Sequence, residues 1–136
     1  MIYDVIVIGA GPAGLFAAAN IKNKKVLIIE KNKTAGKKLL LSGAGQCNYT
    51  NNCEVNEFLQ KYGDKGRFIK TALYNFTNHD ALCFFKGKGL NSIVREDNKV
   101  FPSTFKAMDV LNILIDCVKH TEMLFNNSAE KVSYDE

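Results

Sequence analysis

The sequence lacks the features that mark membrane-spanning and secreted proteins. No apolar run among its 136 residues approaches the ~20 residues that a transmembrane helix needs. The first predicted strand begins at Tyr3, which leaves no room for a signal peptide. We therefore expect no membrane association and a cytoplasmic location.

Paired cysteines are also missing. The chain has four cysteines, at Cys47, Cys53, Cys83 and Cys117, and none of them forms a C-x-x-C pair. Their spacing to the two histidines does not match that of a metal site. This pattern predicts free thiols in a reducing compartment and no bound metal.

A strong charge of one sign is absent as well. The net charge is +4, and the lysines are most concentrated between Lys22 and Lys38. No basic stretch is interleaved with aromatic residues, so we do not predict nucleic acid as a partner. The lysines surround a glycine-rich loop and suit an anionic cofactor; a small molecule is the expected substrate. The oligomeric state is left open.

Residues Tyr3 to Glu30 follow the order strand, glycine-rich turn, helix, strand and acid. The strands are rich in β-branched residues, and the first is predicted to be a parallel strand that is buried on both faces. The five segments are Asp4–Ile8, Gly9–Gly14, Leu15–Ile21, Val26–Ile29 and Glu30. This order predicts a βαβ unit.

The turn contains G-x-G-x-x-G, the fingerprint of dinucleotide-binding domains. Gly9 permits the tight turn, Gly11 lets the backbone approach a pyrophosphate, and Gly14 lets the helix lie close to the strand. The helix N-terminus attracts phosphate, and Glu30 stands where a carboxylate binds ribose hydroxyls. We therefore predict a Rossmann-like α/β domain with a parallel sheet. A glycine-rich turn in an unrelated α/β protein is the less favoured alternative.

The residues after this unit predict a loop, a helical segment and a hairpin. Ser42 to Asn52 is a polar, glycine-punctuated loop, either disordered or wrapped around a ligand, and we favour the second. Residues 54–90 are predicted to be helical, with His79 in a structural or solvated role, and their aromatic residues are predicted to lie in the core. The predicted inward face of one of these helices comprises Phe68, Ile69, Ala72, Leu73 and Phe76. Thr77 or Asn78 can cap the next helix, and Gly87 or Gly89 can end it.

Residues 91–136 complete the predicted domain of residues 1–136. A hairpin turns through Glu96–Asn98, where Asn98 can adopt the left-handed conformation. The amphipathic helix that follows is expected to end near His120, and strands are predicted at Met123–Phe125 and Ala129–Tyr134. Its inward residues are Ala107, Val110, Leu111, Leu114 and Val118. About three parallel strands are few for a doubly wound sheet, so we expect the chain to be part of a longer protein, with residues 1–50 as its nucleotide-binding core.

Three motifs carry a family resemblance. Residues 9–15 have the flavoprotein form G-x-G-P-A-G-L, residues 36–51 contain Ser-Gly-Ala-Gly-Gln-Cys-Asn-Tyr-Thr-Asn, and residues 96–103 contain Val-Phe-Pro-Ser. The chain resembles the aminoacetone oxidase-like, or bile-acid 3-dehydro-4-reductase-like, group of FAD-dependent oxidoreductases. Gln46 stands where the family usually has arginine, and Asn98 and Lys99 replace Gly-Arg.

The resemblance implies non-covalently bound FAD and hydride transfer, with NAD(P)H or O₂ as the other partner. Longer family members complete the flavin site with a C-terminal segment. In the implied site, the pyrophosphate is met by Gly9, Gly11, Ala13 and Gly14, and the ribose by Glu30 and its neighbour Lys31. The phosphate and ribose region is met by Lys37 and Lys38, and the flavin side by Ser42, Gly43, Asn48 and Thr50. The adenine edge is read by the backbone at Val132.

The sequence identifies no general acid or base, so the catalytic residues are left unassigned. Cys47 is either a redox partner of a flavin or a packing residue, and we favour packing because free cysteine behaves as a small hydrophobe. Two alternatives to an oxidoreductase remain. One is a non-catalytic remnant that binds adenine nucleotides, and the other, less favoured, is a tRNA-modifying flavoprotein.

Overall fold

The computed structural model describes residues 2–134 and has an α/β architecture. Its order of elements contains the predicted βαβ unit, the helical segment and the hairpin. In chain order the elements are β1 (Val5–Ile8), α1 (Pro12–Asn20), β2 (Val26–Glu30), α2 (Lys37–Leu41), β3 (Thr50–Asn51), α3 (Val55–Gln60), α4 (Gly66–Asn75), α5 (Asn78–Gly87), β4 (Ser92–Val94), β5 (Lys99–Pro102), α6 (Ala107–Cys117) and β6 (Glu122–Phe125).

The chain divides into two compact units. The first contains the residues up to Leu41 together with those from Leu111 onward, and the second is Ser42–Val110. Each unit is described by itself below.

The first unit contains a parallel sheet of three strands in the order β1-β2-β6. Val5 pairs with Val26 in one ladder, and Leu27 pairs with Glu122 in the other. The central strand β2 is the most buried, as the run of apolar residues predicts. The predicted Rossmann-like fold with three parallel strands is confirmed.

Strand β1 differs from its prediction. Ile6 and Ile8 are 54% and 61% exposed, whereas Val5 and Val7 on the other face are half-buried. Side chains alternate between the two faces of a strand, and the described residues cover only one face of β1. The prediction that β1 is buried on both faces was therefore wrong.

Helix α6 and Val118, the residue that follows it, bury the five apolar residues that the periodicity predicts, each no more than 3% exposed. The helix ends at Cys117, three residues before His120, because the chain tightens into turns in which the Val118 N–H bonds the Ile115 carbonyl and the Thr121 N–H bonds the Val118 carbonyl. The predicted strand at Ala129–Tyr134 was also wrong, since residues 129–134 pair with no strand of the described chain.

The second unit contains an antiparallel sheet in the order β3-β5-β4. The hairpin of β4 and β5 is confirmed, and Asn98 has the left-handed φ of 61° that its turn requires. Part of the predicted loop is ordered as β3, where Thr50 pairs with Val100. Thr77 caps α5 as predicted and forms a capping box with Asp80.

The apolar face of α4 was predicted to lie in the core, and most of it does not. Phe68 is 88% exposed and Phe76 is 40% exposed, while Ile69 and Leu73 are half-buried. Helix α4 packs mainly on α3, which is too short to cover the whole face. The prediction holds for Phe85 of α5, which is buried.

No helix within residues 2–134 combines the length and apolar character needed to cross a bilayer. The same residues contain no cluster of three or more His, Cys, Asp or Glu side chains that could hold a metal ion.

Candidate dinucleotide-binding site

The glycine loop between β1 and α1 is a tight turn with two steric requirements. Gly9 has a φ of 100°, a conformation that is strained for other residues, and its N–H donates to the Ile29 carbonyl at 2.7 Å. A Cβ added at Gly14 would overlap the carbonyl oxygen of Gly9. Gly14 therefore allows α1 to start close against the end of β1.

Gly11 has a different role because its surroundings are open. A Cβ built there would meet no atom of the described chain within 4 Å. Gly11 is the N-cap of α1, and because it is glycine it has no side chain that could cap the helix. Pro12 follows at the first helical position. The helix N-terminus therefore offers backbone N–H groups and the positive end of its dipole to a ligand that comes close to Gly11.

Glu30 lies at the end of β2, is only 7% exposed, and accepts three hydrogen bonds. Its Oε1 accepts from the Asn32 backbone N–H at 2.8 Å and from Asn32 Nδ2 at 2.6 Å. Its Oε2 accepts from the Ala10 N–H at 2.8 Å. The Asn32 backbone N–H is the main reason that the pKa of Glu30 lies below its usual value, although burial opposes the shift. Glu30 is therefore ionised at neutral pH.

These residues line a groove of about 880 Å³ in the first unit. Eight predicted site residues lie on it, namely Gly9, Gly11, Ala13, Gly14, Glu30, Lys31, Lys37 and Lys38. Residues that the sequence analysis missed also line it: Asn32, Asn127, Ser128 and Ala129. Three of these follow β6, whose Phe125 pairs with Glu30, so the rule that ligands bind at the carboxyl ends of parallel strands could have found them.

The groove has a positive rim and a negative residue within it. Lys31, Lys37 and Lys38 are exposed, and no carboxylate within residues 2–134 forms an ion pair with them. Their charges suit phosphate groups, whereas the Glu30 carboxylate suits a ribose hydroxyl and would repel a 2′-phosphate. The donor set therefore fits the adenosine diphosphate half of FAD or NAD.

Val132 does not line this groove. Its side chain is 83% exposed, and its backbone belongs to no strand in the described part of the chain. After β6 the chain turns at Asn126, which has a φ of 56°, and the Asn127 N–H donates to the Glu30 carbonyl at 3.1 Å. The adenine-reading role implied for the backbone at Val132 stays a prediction.

Comparison with known proteins assigns the family. The chain matches the HI0933-like protein Rossmann domain over residues 3–136. It belongs to this family.

Three curated relatives of this HI0933-like domain are each 31% identical to it. The ribosomal RNA dihydrouridine synthases of Escherichia coli and Haemophilus influenzae each align with 96% of the chain, and the 3-dehydro-bile acid delta(4,6)-reductase of Clostridium scindens with 79%. The aligned parts are 32%, 34% and 27% of those proteins, so the chain spans about a third of their length. The predicted resemblance to the bile-acid reductase group is confirmed.

A solved structure shows the same fold. The crystal structure of Thermovibrio ammonificans THI4 superimposes with a TM-score of 0.63 over 98% of this chain and 42% of that one. The sequences are 15% identical, so the likeness concerns the fold alone.

The predicted flavin-side residues of this HI0933-like chain lie in the second unit. Gly43 has a φ of 56°, and a Cβ added there would come within 3.1 Å of the Phe101 ring. The Asn48 carboxamide faces the carbonyl oxygens of Thr50 and Val100, at 2.8 and 3.2 Å from its nitrogen. Gly43 thus lets the loop lie close to Phe101 of β5, and Asn48 bonds the loop to Val100 of the same strand.

Cys47 lies in the same loop and is 2% exposed. Burial raises the pKa of its thiol, with the Ser42 side chain opposing the shift. A protonated, buried thiol is a poor nucleophile, which favours the packing interpretation.

Gln46, which stands where the family motif has arginine, is bound to an arginine from the hairpin. Arg95 Nη2 donates to Gln46 Oε1 at 2.8 Å, and the guanidinium lies 4.0 Å from the centre of the Phe101 ring. A cation therefore lies beside residue 46, supplied by Arg95, the residue that follows β4.

Proposed function

We propose that this chain is the FAD-binding part of a flavin-dependent oxidoreductase. The observation that carries the proposal is the open space at Gly11, beside an uncapped helix N-terminus and facing the same groove as Glu30. No neighbouring atom excludes a larger side chain at position 11. A ligand that must approach the backbone there would explain why the residue is glycine. The positive rim of Lys31, Lys37 and Lys38 supports an anionic ligand.

The residues of the groove would bind and orient the adenosine half of the cofactor. The N-terminus of α1 would hold the pyrophosphate, and Lys37 and Lys38 would neutralise its charge. Glu30 would accept a hydrogen bond from a ribose hydroxyl. FAD supplies hydride transfer at its isoalloxazine ring when bound. Ser42, Gly43, Asn48 and Thr50 would lie on the flavin side of the cofactor.

For the substrate we propose a small molecule with a carbon–carbon double bond conjugated to a carbonyl group. A dihydrouridine synthase saturates such a bond in uracil, and the name of the bile-acid reductase describes reduction of double bonds next to a 3-oxo group. NAD(P)H would be the transient hydride donor, with O₂ as the alternative electron partner. Four free cysteines suit a reducing cytoplasm.

Ribosomal RNA is a second candidate substrate because two relatives carry that activity in their names. The modest net charge makes it less favoured. Retention of the chain on RNA at low salt, lost as salt rises, would favour RNA over a small molecule. No retention at low salt would favour the small molecule.

The visible absorption spectrum tests the proposal. We expect the purified chain to retain flavin absorbance after FAD is added and the sample is desalted. Gly11→Ala should lose most of this absorbance, because its methyl group would occupy the space of the pyrophosphate. The control is Gly87→Ala, where an added Cβ also meets no described atom within 4 Å, and it should retain flavin.

Two outcomes would contradict the proposal. If the unmodified chain retains no flavin, the remnant interpretation is favoured. If Gly11→Ala and Gly87→Ala retain flavin equally, the ligand does not bind along the glycine loop.

A further inference from the structure

The side chain of Asn32 is bound to the carboxylate of Glu30 within the groove. Both residues line it, and Asn32 contributes two donors, its backbone N–H at 2.8 Å and its Nδ2 at 2.6 Å, to the same oxygen, Oε1. The dinucleotide fingerprint assigns a role to the acid at the end of the second strand, but none to a residue two positions later.

The hydrogen bonds of Glu30 leave little capacity for a ligand. A carboxylate has about four lone-pair sites, two on each oxygen. Asn32 fills both sites of Oε1, and the Ala10 N–H fills one site of Oε2. Within the described chain, one site on Oε2 remains. A ribose has two neighbouring hydroxyl groups, so only one of them can donate to Glu30 without displacing a protein donor.

We propose that Asn32 is a positioning residue that occupies Oε1 of Glu30, so that Oε2 selects a single ribose hydroxyl of the bound adenine dinucleotide. The selected group is the 2′-hydroxyl, which is the hydroxyl that the acid of this fingerprint meets. This inference rests on the proposed function of the groove.

The geometry explains how Asn32 acts through Glu30. With Oε1 held by two donors and Oε2 by the Ala10 N–H, the carboxylate cannot rotate or present both oxygens to the ribose. Loss of Nδ2 frees a site on Oε1 and loosens this orientation. A second hydroxyl can then donate to Glu30, and the preference for one hydroxyl falls.

Calorimetry with the unmodified chain tests the hydroxyl preference. We expect 2′-deoxy-ADP to bind roughly tenfold or more weakly than ADP, and 3′-deoxy-ADP to bind within about threefold of ADP. If ADP binds but both deoxy analogues bind equally well, the inference is overturned while the proposed function stands. If ADP does not bind at all, the proposed function of the groove fails, and the inference with it.

A pair of asparagine variants tests the role of Asn32. In Asn32→Ala the ratio of the 2′-deoxy-ADP and ADP dissociation constants should fall to about threefold or less. Asn20→Ala is the matched control, because Asn20 Nδ2 also makes a hydrogen bond, to the Phe16 carbonyl at 2.8 Å, at the far end of α1. In Asn20→Ala the ratio of the two dissociation constants should stay at the value of the unmodified chain. If Asn32→Ala weakens both nucleotides equally and keeps the ratio, its role is only structural and the inference is overturned.

Discussion

The backbone N–H of Ala10 donates to Oε2 of Glu30 at 2.8 Å, across 20 positions of sequence. Ala10 is fully buried, and its carbonyl accepts from the Gly36 N–H at 2.9 Å. The glycine loop is therefore fixed to the end of β2 and to the start of α2. This arrangement holds the loop in place before any ligand binds, which lowers the ordering cost of binding.

Gly14 and Gly11 should respond differently to the same substitution. We expect Gly14→Ala to lower the free energy of unfolding by roughly 3 kcal/mol, because the methyl group would overlap the Gly9 carbonyl and force α1 away from β1. Gly11→Ala should cost less than about 1 kcal/mol, since its methyl group meets no described atom and only the N-cap preference is lost. Urea denaturation measures both, and equal losses would contradict the steric account.

The stability of the chain should fall in acid because of Glu30. Its pKa is lower in the folded chain than its usual value of 4.5, so unfolding favours proton uptake. The stabilisation is fully present above about pH 4.5 and is lost as the pH falls through the lower folded pKa. Glu30→Gln should remove this pH dependence and lower stability at neutral pH, because the donors of Ala10 and Asn32 lose their charged acceptor.

Thermal unfolding at a series of pH values between pH 3 and pH 7 would measure this effect, because carboxyl groups ordinarily titrate within this range. Glu130→Gln is the control, since this exposed side chain lies outside the sheet, and it should keep the unmodified profile. An unchanged acid profile in Glu30→Gln would show that other carboxylates govern acid unfolding.

The lysines on the rim of the groove should make FAD binding salt-dependent. A Lys37→Ala/Lys38→Ala double variant should weaken FAD binding about threefold to tenfold at low salt and reduce the effect of added salt. Lys22→Ala/Lys24→Ala is the matched control, because these exposed lysines carry the same charge but do not line the groove. Fluorescence titration of FAD measures the affinities. Equal losses in the two double variants would indicate general attraction instead of contact at the groove.

The capping box of α5 should contribute measurably to stability. Thr77→Ala removes the acceptor of the Asp80 N–H at 3.1 Å and should lower the free energy of unfolding by about 1 kcal/mol. The control Thr71→Ala changes an exposed position within α4, where alanine is the better helix former, and should have little or no destabilising effect. Chemical denaturation measures the free energy of unfolding of the two variants. A loss of stability in Thr71→Ala as large as that in Thr77→Ala would contradict the role of the cap.

The sequence by itself determined the local units of this protein. The run of β-branched residues, the glycine spacing and the acid at Glu30 predicted the βαβ unit because each is a short-range steric or charge requirement. The periodicity of α6 identified its buried face for the same reason. The turn at Asn98 followed from the residue's tolerance of a left-handed conformation.

Only the tertiary structure decided which apolar surfaces are covered and which polar groups meet. Ile6 and Phe68 have the sequence pattern of buried residues, yet they are exposed, because burial depends on what packs on each face. Asn32 and Asn127 reach the groove because strand pairing brings the ends of β2 and β6 together. Strand pairing and packing join residues that are distant in sequence, so no local pattern contains them.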